Sequence, residues 1–231
     1  LWGKPTLIHN VETFLNIALL VRQDFSWFAS TGMNENPGTK CLTLTGALKC
    51  PGIIEIPIGT LIRDLVFEIG GGELADRPIK ALHIGGPLGG YLAPEYFDHA
   101  FDHDSLETLG MRIGTGTLEV LDRSVCLVDR VRKHFLATSQ ELCGQCTAGR
   151  EGIYQISAIL QAICEKRDIP GCRAGTADVL MMLRELAEYV QHSGLCVYCQ
   201  YATASLLTSL HYFQKEYDDN LQKRCQAGVC F

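Results

Sequence analysis

The sequence predicts an α+β fold in which a β-grasp module precedes a four-helix bundle that carries a metal centre. Short β-rich runs alternate with Pro-Gly and Gly-Gly turns in the first half, whereas apolar residues recur at helical spacing in the second. The 231 residues, 47% of them hydrophobic, suffice for one large or two small domains. We expect a connecting helix and linker over 1–40, the β-grasp module over 41–122 and the bundle over 123–231.

The first 40 residues predict a helix followed by a linker. Apolar residues recur at helical spacing over 10–22, and Asn10 is a candidate N-cap. Residues 34–40 read Asn-Glu-Asn-Pro-Gly-Thr-Lys, a composition typical of turns.

The β-grasp module is predicted from a hairpin, a short helix and further strands. The strands are expected at 41–46, 53–57, 81–84 and 117–121. After the hairpin, Thr60 is expected to cap a short helix with Leu61, Leu65 and Ile69 facing inward. The glycines at 70–72 should end that helix.

Four apolar stripes predict the helices of the bundle, and each stripe is expected to be core rather than a ligand pocket. The stripes are Val125, Val128, Val131 and Phe135; Ile153, Ile156, Leu160 and Ile163; Val179, Met182, Leu183, Leu186 and Val190; and Leu206, Leu210, Phe213 and Tyr217.

Two Cys-x-x-Cys pairs are the most informative feature for function. Cys143 and Cys146 form one pair, Cys196 and Cys199 the other, and each lies at a predicted loop-to-helix junction. Thiolates at this spacing suit zinc or an iron–sulfur cluster. A redox dithiol or small buried thiols would give the same local pattern, but two such pairs in one helical region favour a metal centre.

Residues beside the first pair suit an anionic cluster. Helix N-termini attract negative charge, and Gly144 and Gly149 allow the backbone to approach the sulfurs. Arg150 would add a fixed positive charge that tunes the reduction potential. The alternative for Arg150 is a solvated surface side chain.

Other candidates are weaker. Cys225 and Cys230 could bind zinc with a distant histidine or cysteine, although their spacing is looser than that of a usual zinc pair. The glycines of 84–90 lack the pattern of a phosphate loop and predict a structural turn. The remaining cysteines are expected to fill space rather than bind metal; they are Cys41, Cys50, Cys126, Cys164 and Cys172.

Composition excludes several classes of protein. The net charge of −6 gives no basic footprint for nucleic acid, and no apolar run is long enough for membrane insertion. No signal peptide opens the chain, so the eleven cysteines favour metal ligation in a reducing compartment such as the cytoplasm. No Ser-His-Asp order or paired carboxylates stand out, so no catalytic residue is assigned.

The sequence resembles the flavoprotein subunit of NADH:quinone oxidoreductase, the 51-kDa type of complex I, which also occurs in NAD-linked hydrogenases and formate dehydrogenases. Residues 3–13 resemble its G-x-P-T-x-x-N-N-V-E-T segment, 84–90 the glycine stretch of its SLBB domain, and 143–152 its C-G-K-C-T-P-C-R-E-G motif. Cys196 falls at its fourth cluster ligand. Residues 223–230 resemble the K-R-C-P-A-G-V-C of electron-bifurcating relatives.

The resemblance implies that NADH reduces FMN in an N-terminal domain and that one [4Fe-4S] cluster passes single electrons onward. We expect the flavin domain to lie outside this sequence, with Asn10 able to approach the flavin. The implied partners are the flavin- and NADH-binding domain or chain and other iron–sulfur subunits of an oxidoreductase complex.

Three departures from the family pattern matter. Gly149 stands where the family has its third cluster cysteine, Cys199 stands where it has glycine, and His9-Asn10 replaces a pair of asparagines. Cys199 could restore the ligand count. A three-cysteine cluster, a zinc site, or a non-redox scaffold that docks partner subunits are the alternatives.

Overall fold

The structure is a computed structural model that describes residues 1–33, 35–74, 77–169 and 176–230, without the side chains of residues 176 and 177. It is a mixed α+β fold, as the sequence predicts. The strands are Thr39–Gly46 (β1), Gly52–Pro57 (β2), Ile79–Ile84 (β3), Gly90–Leu92 (β4) and Thr117–Asp122 (β5). The α-helices are Val11–Gln23 (α1), Phe25–Ala29 (α2), Ile62–Asp64 (α3), His103–Thr108 (α4), Leu127–Glu141 (α5), Tyr154–Cys164 (α6), Thr176–Ser193 (α7), Val197–Tyr201 (α8), Ala204–Tyr212 (α9) and Gln214–Leu221 (α10). Two π-helical turns, Leu65–Ile69 and Ala148–Ile153, continue α3 and precede α6, and two 3₁₀ turns cover Gly86–Leu88 and Pro94–Tyr96.

The strands form one five-stranded sheet in the order β2-β1-β5-β3-β4. β1 pairs with β5 in parallel, and the other neighbours are antiparallel. The alternation of β1 places Leu42 and Leu44 in the core, while Cys41 faces solvent. All four predicted strands are confirmed within a residue or two.

The sheet also contains a strand that the sequence does not signal. β4 has only three residues, and all three are buried. The backbone N–H of Tyr91 donates to the Thr208 hydroxyl at 2.9 Å, so α9 covers this edge. A strand buried on both faces shows no alternation, which is why the pattern misses it.

The predicted cap at Thr60 is wrong. Its hydroxyl donates to the Pro57 carbonyl at 2.7 Å, and the helix begins after Leu61 without a side-chain cap. The buried residues are Ile62, Leu65 and Val66, whereas Leu61 is 38% and Ile69 39% exposed. The π-helical turn changes the spacing of the inward positions, so the predicted stripe is shifted.

Three of the predicted helical stripes pack into one core. α5, α6 and α7 bury residues such as Val131, Leu160 and Leu183. The fourth stripe is divided between α9 and α10, which meet at Phe213. This region of the described chain is therefore built from shorter helices than the predicted bundle.

The sheet and the helices have separate cores that meet along β3, β4 and β5. Ala81, Tyr91 and Leu121 belong to the helical core, while the other buried sheet residues form a second core. The buried Glu216 of α10 joins the two regions, because its carboxylate lies 2.7 Å from the Lys80 ammonium and accepts from the Leu127 N–H at 2.9 Å.

Helix α1 is confirmed with Asn10 as its cap, since the Asn10 side chain accepts from the Glu12 N–H at 2.9 Å. Its apolar residues are exposed, Val11 by 73%. The Glu12 carboxylate ties α1 to the sheet by accepting from the Cys41 N–H at 2.8 Å and pairing with Lys40. Within the described ranges, no helix is long and apolar enough to cross a membrane.

Candidate metal centres

The first cysteine pair lies between α5 and the π-helical turn. Cys143 is exposed and Cys146 is half-buried. Gly144 between them has a φ of +70°, a left-handed conformation that favours glycine. Arg150 fixes this loop, since its guanidinium donates to the Gly144 carbonyl at 3.0 Å and pairs with Glu151 at 2.9 Å. Arg150 therefore contacts the loop that carries the first pair, and its role beside a cluster stays a prediction.

The second pair surrounds the start of α8. Cys196 is the N-cap residue, and its sulfur accepts from the Cys199 N–H at 3.5 Å. Cys199 lies inside the helix and its side chain is fully buried, whereas Cys196 is exposed. A thiolate at this N-cap would face the positive end of the short helix.

The two pairs meet at Gly149. The sulfurs of Cys146 and Cys199 lie 3.9 Å apart, and a Cβ built on Gly149 would lie 3.0 Å from each of them. A Cβ on Gly194 would lie 2.9 Å from the Cys199 sulfur. Two positions without side chains therefore leave the space that the Cys199 sulfur fills.

The electrostatics distinguish the four thiols, which we call the clip cysteines: Cys143, Cys146, Cys196 and Cys199. Backbone N–H groups of Leu195 and Gly149 lower the pKa of Cys146, which favours its thiolate. Burial, together with the other three clip cysteines as neighbouring negative charges, raises the pKa of Cys199 to about 12. All three therefore lie within electrostatic range of Cys199.

This donor set fits an iron–sulfur cluster. Such clusters are held by thiolates, and backbone N–H groups directed at the sulfurs stabilise their negative charge. Two such N–H groups are directed at the Cys146 sulfur. That of Gly149 belongs to the segment of the first cysteine pair, and that of Leu195 belongs to the segment of the second. The structure thus brings the predicted residues to one place.

A second group of sulfurs was only partly expected. Cys225 and Cys230 lie in the loop after α10, and their sulfurs and that of Cys126 are all within 4.8 Å of one another. Cys164 also approaches this group, with its sulfur 3.7 Å from that of Cys230. We call these four residues the C-terminal cysteines.

The expectation that the remaining cysteines fill space is wrong for Cys41 and Cys50, which are exposed. Cys126 and Cys164 are buried, as expected, but the sulfur of each lies close to that of Cys230. Cys172 lies outside the described residues. Sequence reasoning missed the grouping of Cys126 and Cys164 because neither has a cysteine within a few positions that would form a recognisable pair.

The glycine run at 84–90 forms a tight turn. Gly85 has a φ of +94° and Gly86 a φ of +65°. A Cβ on Gly89 would lie 1.7 Å from the Ile84 carbonyl oxygen, so the backbone itself requires glycine. These contacts give the glycines a steric role.

Fold and sites together define an α+β protein in which cysteines from separate helices and loops lie close together. Residues 129–220 match the family model described as the NADH-ubiquinone oxidoreductase-F iron-sulfur binding region. The chain thus carries the iron–sulfur binding region of the NADH-ubiquinone oxidoreductase-F family and corresponds to the C-terminal part of the 51-kDa type of subunit.

Curated relatives agree with this assignment. The chain is 36% identical to the NADP-reducing hydrogenase subunit HndC of Solidesulfovibrio fructosivorans, over 99% of this chain and 46% of the relative. It is 30% identical to the F-type subunit of NADH-quinone oxidoreductase from Buchnera aphidicola subsp. Baizongia pistaciae, over 94% of this chain and 48% of the relative. The chain therefore spans about half the length of these relatives.

A solved structure has the same fold. The air-oxidized NAD⁺-reducing [NiFe]-hydrogenase matches with a TM-score of 0.80 and 25% identity, over 95% of this chain and 36% of the hydrogenase chain.

Proposed function

We propose that this chain is the electron-transfer module of an NAD(H)-linked oxidoreductase and that the clip cysteines hold one [4Fe-4S] cluster. The observation that carries the proposal is the contact between the Cys199 sulfur and the position of Gly149. The family pattern supplies three thiolates here, and Cys199 supplies the fourth.

The case for Cys199 rests on its place in the site. Its sulfur is 3.9 Å from that of Cys146, and it occupies the space into which a side chain at position 149 would project. A cysteine at position 149 would therefore place its sulfur on nearly the same side of the site as the Cys199 sulfur. When Cys199 takes the place of a cysteine at 149 as ligand, the number of thiolates stays at four, the number that a [4Fe-4S] cluster normally uses.

Residues of this chain hold the site in three ways. Backbone N–H groups stabilise the Cys146 thiolate. The Arg150 guanidinium fixes the loop through the Gly144 carbonyl and adds a positive charge. Cys143 and Cys196 are exposed, so one side of the site is open to an electron donor or acceptor. A bound cluster of this kind accepts and releases single electrons.

The rest of the electron path lies outside these residues. By analogy with the relatives, FMN and NADH would be held by a separate domain or chain, and other iron–sulfur subunits would be partners. The exposed apolar face of α1 and the exposed cap Asn10 suit contact with the flavin-binding part. The division into a linker at 1–40, an SLBB-like β-grasp module at 41–122 and a helical cluster domain at 123–231 is part of the same proposal, supported by the two separate cores.

A non-redox scaffold with zinc at the clip cysteines is the second candidate. Gly149 favours it, because the family's third cluster ligand is absent. Iron and acid-labile sulfide measured per chain after anaerobic purification separate the two. The cluster predicts about four of each and visible absorption that dithionite bleaches, whereas a colourless protein with zinc at the clip cysteines would contradict it.

Cys199→Ser tests the fourth ligand, with the exposed Cys50→Ser in the sheet region as the matched control. We expect Cys199→Ser to lower iron content and to change the electron paramagnetic resonance spectrum of the reduced protein. Spectra and iron content identical to the parent would show that Cys199 is not a ligand.

A further inference from the structure

We propose that Tyr198 positions the clip cysteines, because its hydroxyl joins the two pairs through a hydrogen bond to Glu141. The inference rests on the proposed function and deepens it, since it names the residue that keeps the two halves of the same site together. Tyr198 is a positioning residue and not a ligand, because its hydroxyl bonds to a carboxylate.

The contact spans the site. Tyr198 lies between Cys196 and Cys199 in the second pair, and its hydroxyl donates to the Glu141 Oε2 at 2.9 Å. Glu141 is the last residue of α5, and Cys143 of the first pair follows two positions later. One hydrogen bond therefore connects the helix that leads to the first pair with the helix that begins at the second.

Helix α8 depends on such contacts because it has only five residues. A helix this short is unstable alone, so the side chains around it decide where it lies. Gln200 closes only the local loop, by donating to the Gly194 carbonyl at 2.9 Å. The His134 Nε2 lies 3.2 Å from the Ala202 carbonyl oxygen, just after the helix. Tyr198 acts instead from between the two cysteines of the second pair.

The proposed use of Cys199 as a ligand makes the position of α8 important. The Cys199 sulfur lies 3.9 Å from that of Cys146, beside the position of Gly149. Ionised thiols repel one another, so their charges favour opening of a metal-free site. The bond between Tyr198 and Glu141 is made outside the sulfurs. It therefore holds the two pairs together before metal binds and reduces the ordering that binding requires.

Tyr201 provides a matched control on the same helix. The guanidinium carbon of Arg112 lies 3.7 Å from the centre of the Tyr201 ring, and the guanidinium also contacts the Tyr201 hydroxyl. Arg112 precedes β5, so Tyr201 faces the sheet region rather than α5. Tyr201→Phe removes a hydroxyl as Tyr198→Phe does, but it keeps the ring beside Arg112 and leaves the bond to Glu141 intact.

The first test uses the full chain with its cluster. Iron release to a chelator should be roughly fivefold faster in Tyr198→Phe than in the parent, the change expected for loss of one partly exposed hydrogen bond. The electron paramagnetic resonance lines of the reduced cluster should broaden, because the separation of the two pairs is no longer fixed. Glu141→Gln keeps an oxygen that accepts from Tyr198, so it should retain the parent's release rate and line width, as should Tyr201→Phe.

Glu141→Ala approaches the same bond from its other end. It should reproduce the faster iron release of Tyr198→Phe, and the double variant should release iron no faster than either single variant, because all three lack one shared contact. Additive rates, or equal changes in Tyr198→Phe and Tyr201→Phe, would overturn the proposal. Retained far-ultraviolet circular dichroism shows that each variant is folded.

The second test needs no cluster. In the metal-free full chain, Cys143→Ser/Cys196→Ser leaves one thiol in each pair. Equilibration with glutathione and its disulfide measures the effective concentration of Cys146 relative to Cys199, from the fraction of chains in which these two sulfurs form a disulfide while glutathione disulfide is reduced to two glutathiones. Mass spectrometry of the linked peptides identifies that product.

Tyr198→Phe should lower this effective concentration roughly fivefold, whereas Tyr201→Phe should leave it unchanged. Equal values in the parent and Tyr198→Phe would overturn the positioning role even where the parent holds its iron. A parent without iron and sulfide would overturn the proposed cluster, and a fall in effective concentration in Tyr198→Phe would still support the positioning role.

Discussion

The clip cysteines and the C-terminal cysteines lie at opposite ends of helix α5 and differ in spacing and exposure. Cys126 caps the start of this 15-residue helix, and Cys143 follows its end, about 22 Å away along the axis. Two of the clip cysteines are exposed, whereas the C-terminal cysteines are all buried or half-buried.

The differences in sulfur spacing and exposure suit the two groups of cysteines to different kinds of metal site. Closely packed sulfurs suit a single ion, and more open sulfurs beside backbone N–H groups suit a larger anionic cluster. Because the two groups are far apart, substitutions at one should not change metal content at the other.

The largest effect should come from Cys146→Ser. Its sulfur receives two backbone N–H groups and contacts Cys199, so we expect loss of most of the iron and sulfide. Iron and sulfide assayed on one sample measure this. Cys143→Ser and Cys196→Ser should act in the same direction, and unchanged iron in all three would refute the assignment.

A smaller loss of cluster is expected when Gly149 is replaced, and a second substitution should restore part of the cluster. A Cβ there would lie 3.0 Å from two sulfurs, so Gly149→Cys alone should lower cluster content by crowding. Gly149→Cys/Cys199→Ala removes the crowding and restores four thiolates, so its iron content should exceed that of Cys199→Ala alone. Equal iron content in these two variants would argue against exchange between the positions.

The stability of the protein should depend on pH through His134, which lies on α5 between the two groups of cysteines. Burial lowers the pKa of His134 to about 4, and its Nε2 lies 3.2 Å from the Ala202 carbonyl oxygen behind the second clip pair. The unfolded chain binds this proton near pH 6.5 and the folded chain only near pH 4, so stability should fall as pH drops through this window. The change should be about 3 kcal/mol.

The measurement is urea unfolding of the parent and His134→Gln between pH 7 and pH 4.5, since glutamine keeps a donor for the carbonyl. The difference between the two proteins cancels the titration of other groups. Parallel stability curves would show that His134 does not contribute.

The smallest effect should be that of Arg150→Gln. Loss of a positive charge disfavours the added electron, so the reduction potential should become more negative. The Arg150 side chain is 54% exposed, which screens its charge and keeps the shift small. A redox titration measures this, and Arg150→Lys, which keeps the charge, should shift the potential less.

Local patterns predicted the element types well and failed where packing decided the spacing. The alternation of β1 and the stripes of α5, α6 and α7 agree with the structure because each has one buried face. The predicted inward positions of Leu61 and Ile69 and the predicted single last helix fail, because a π-helical turn and a break at Phe213 interrupt the helical period. These interruptions have no local signal.

The sequence by itself determined the α+β class, the two Cys-x-x-Cys pairs and the absence of a cysteine at position 149. Those features depend on residue type and short spacing, which the chain displays directly. Only the tertiary structure brought the Cys199 sulfur beside Gly149 and gathered Cys126 and Cys164 around Cys230. These approaches join residues 50 or more positions apart, and the packing of the helices that carry them decides whether they meet.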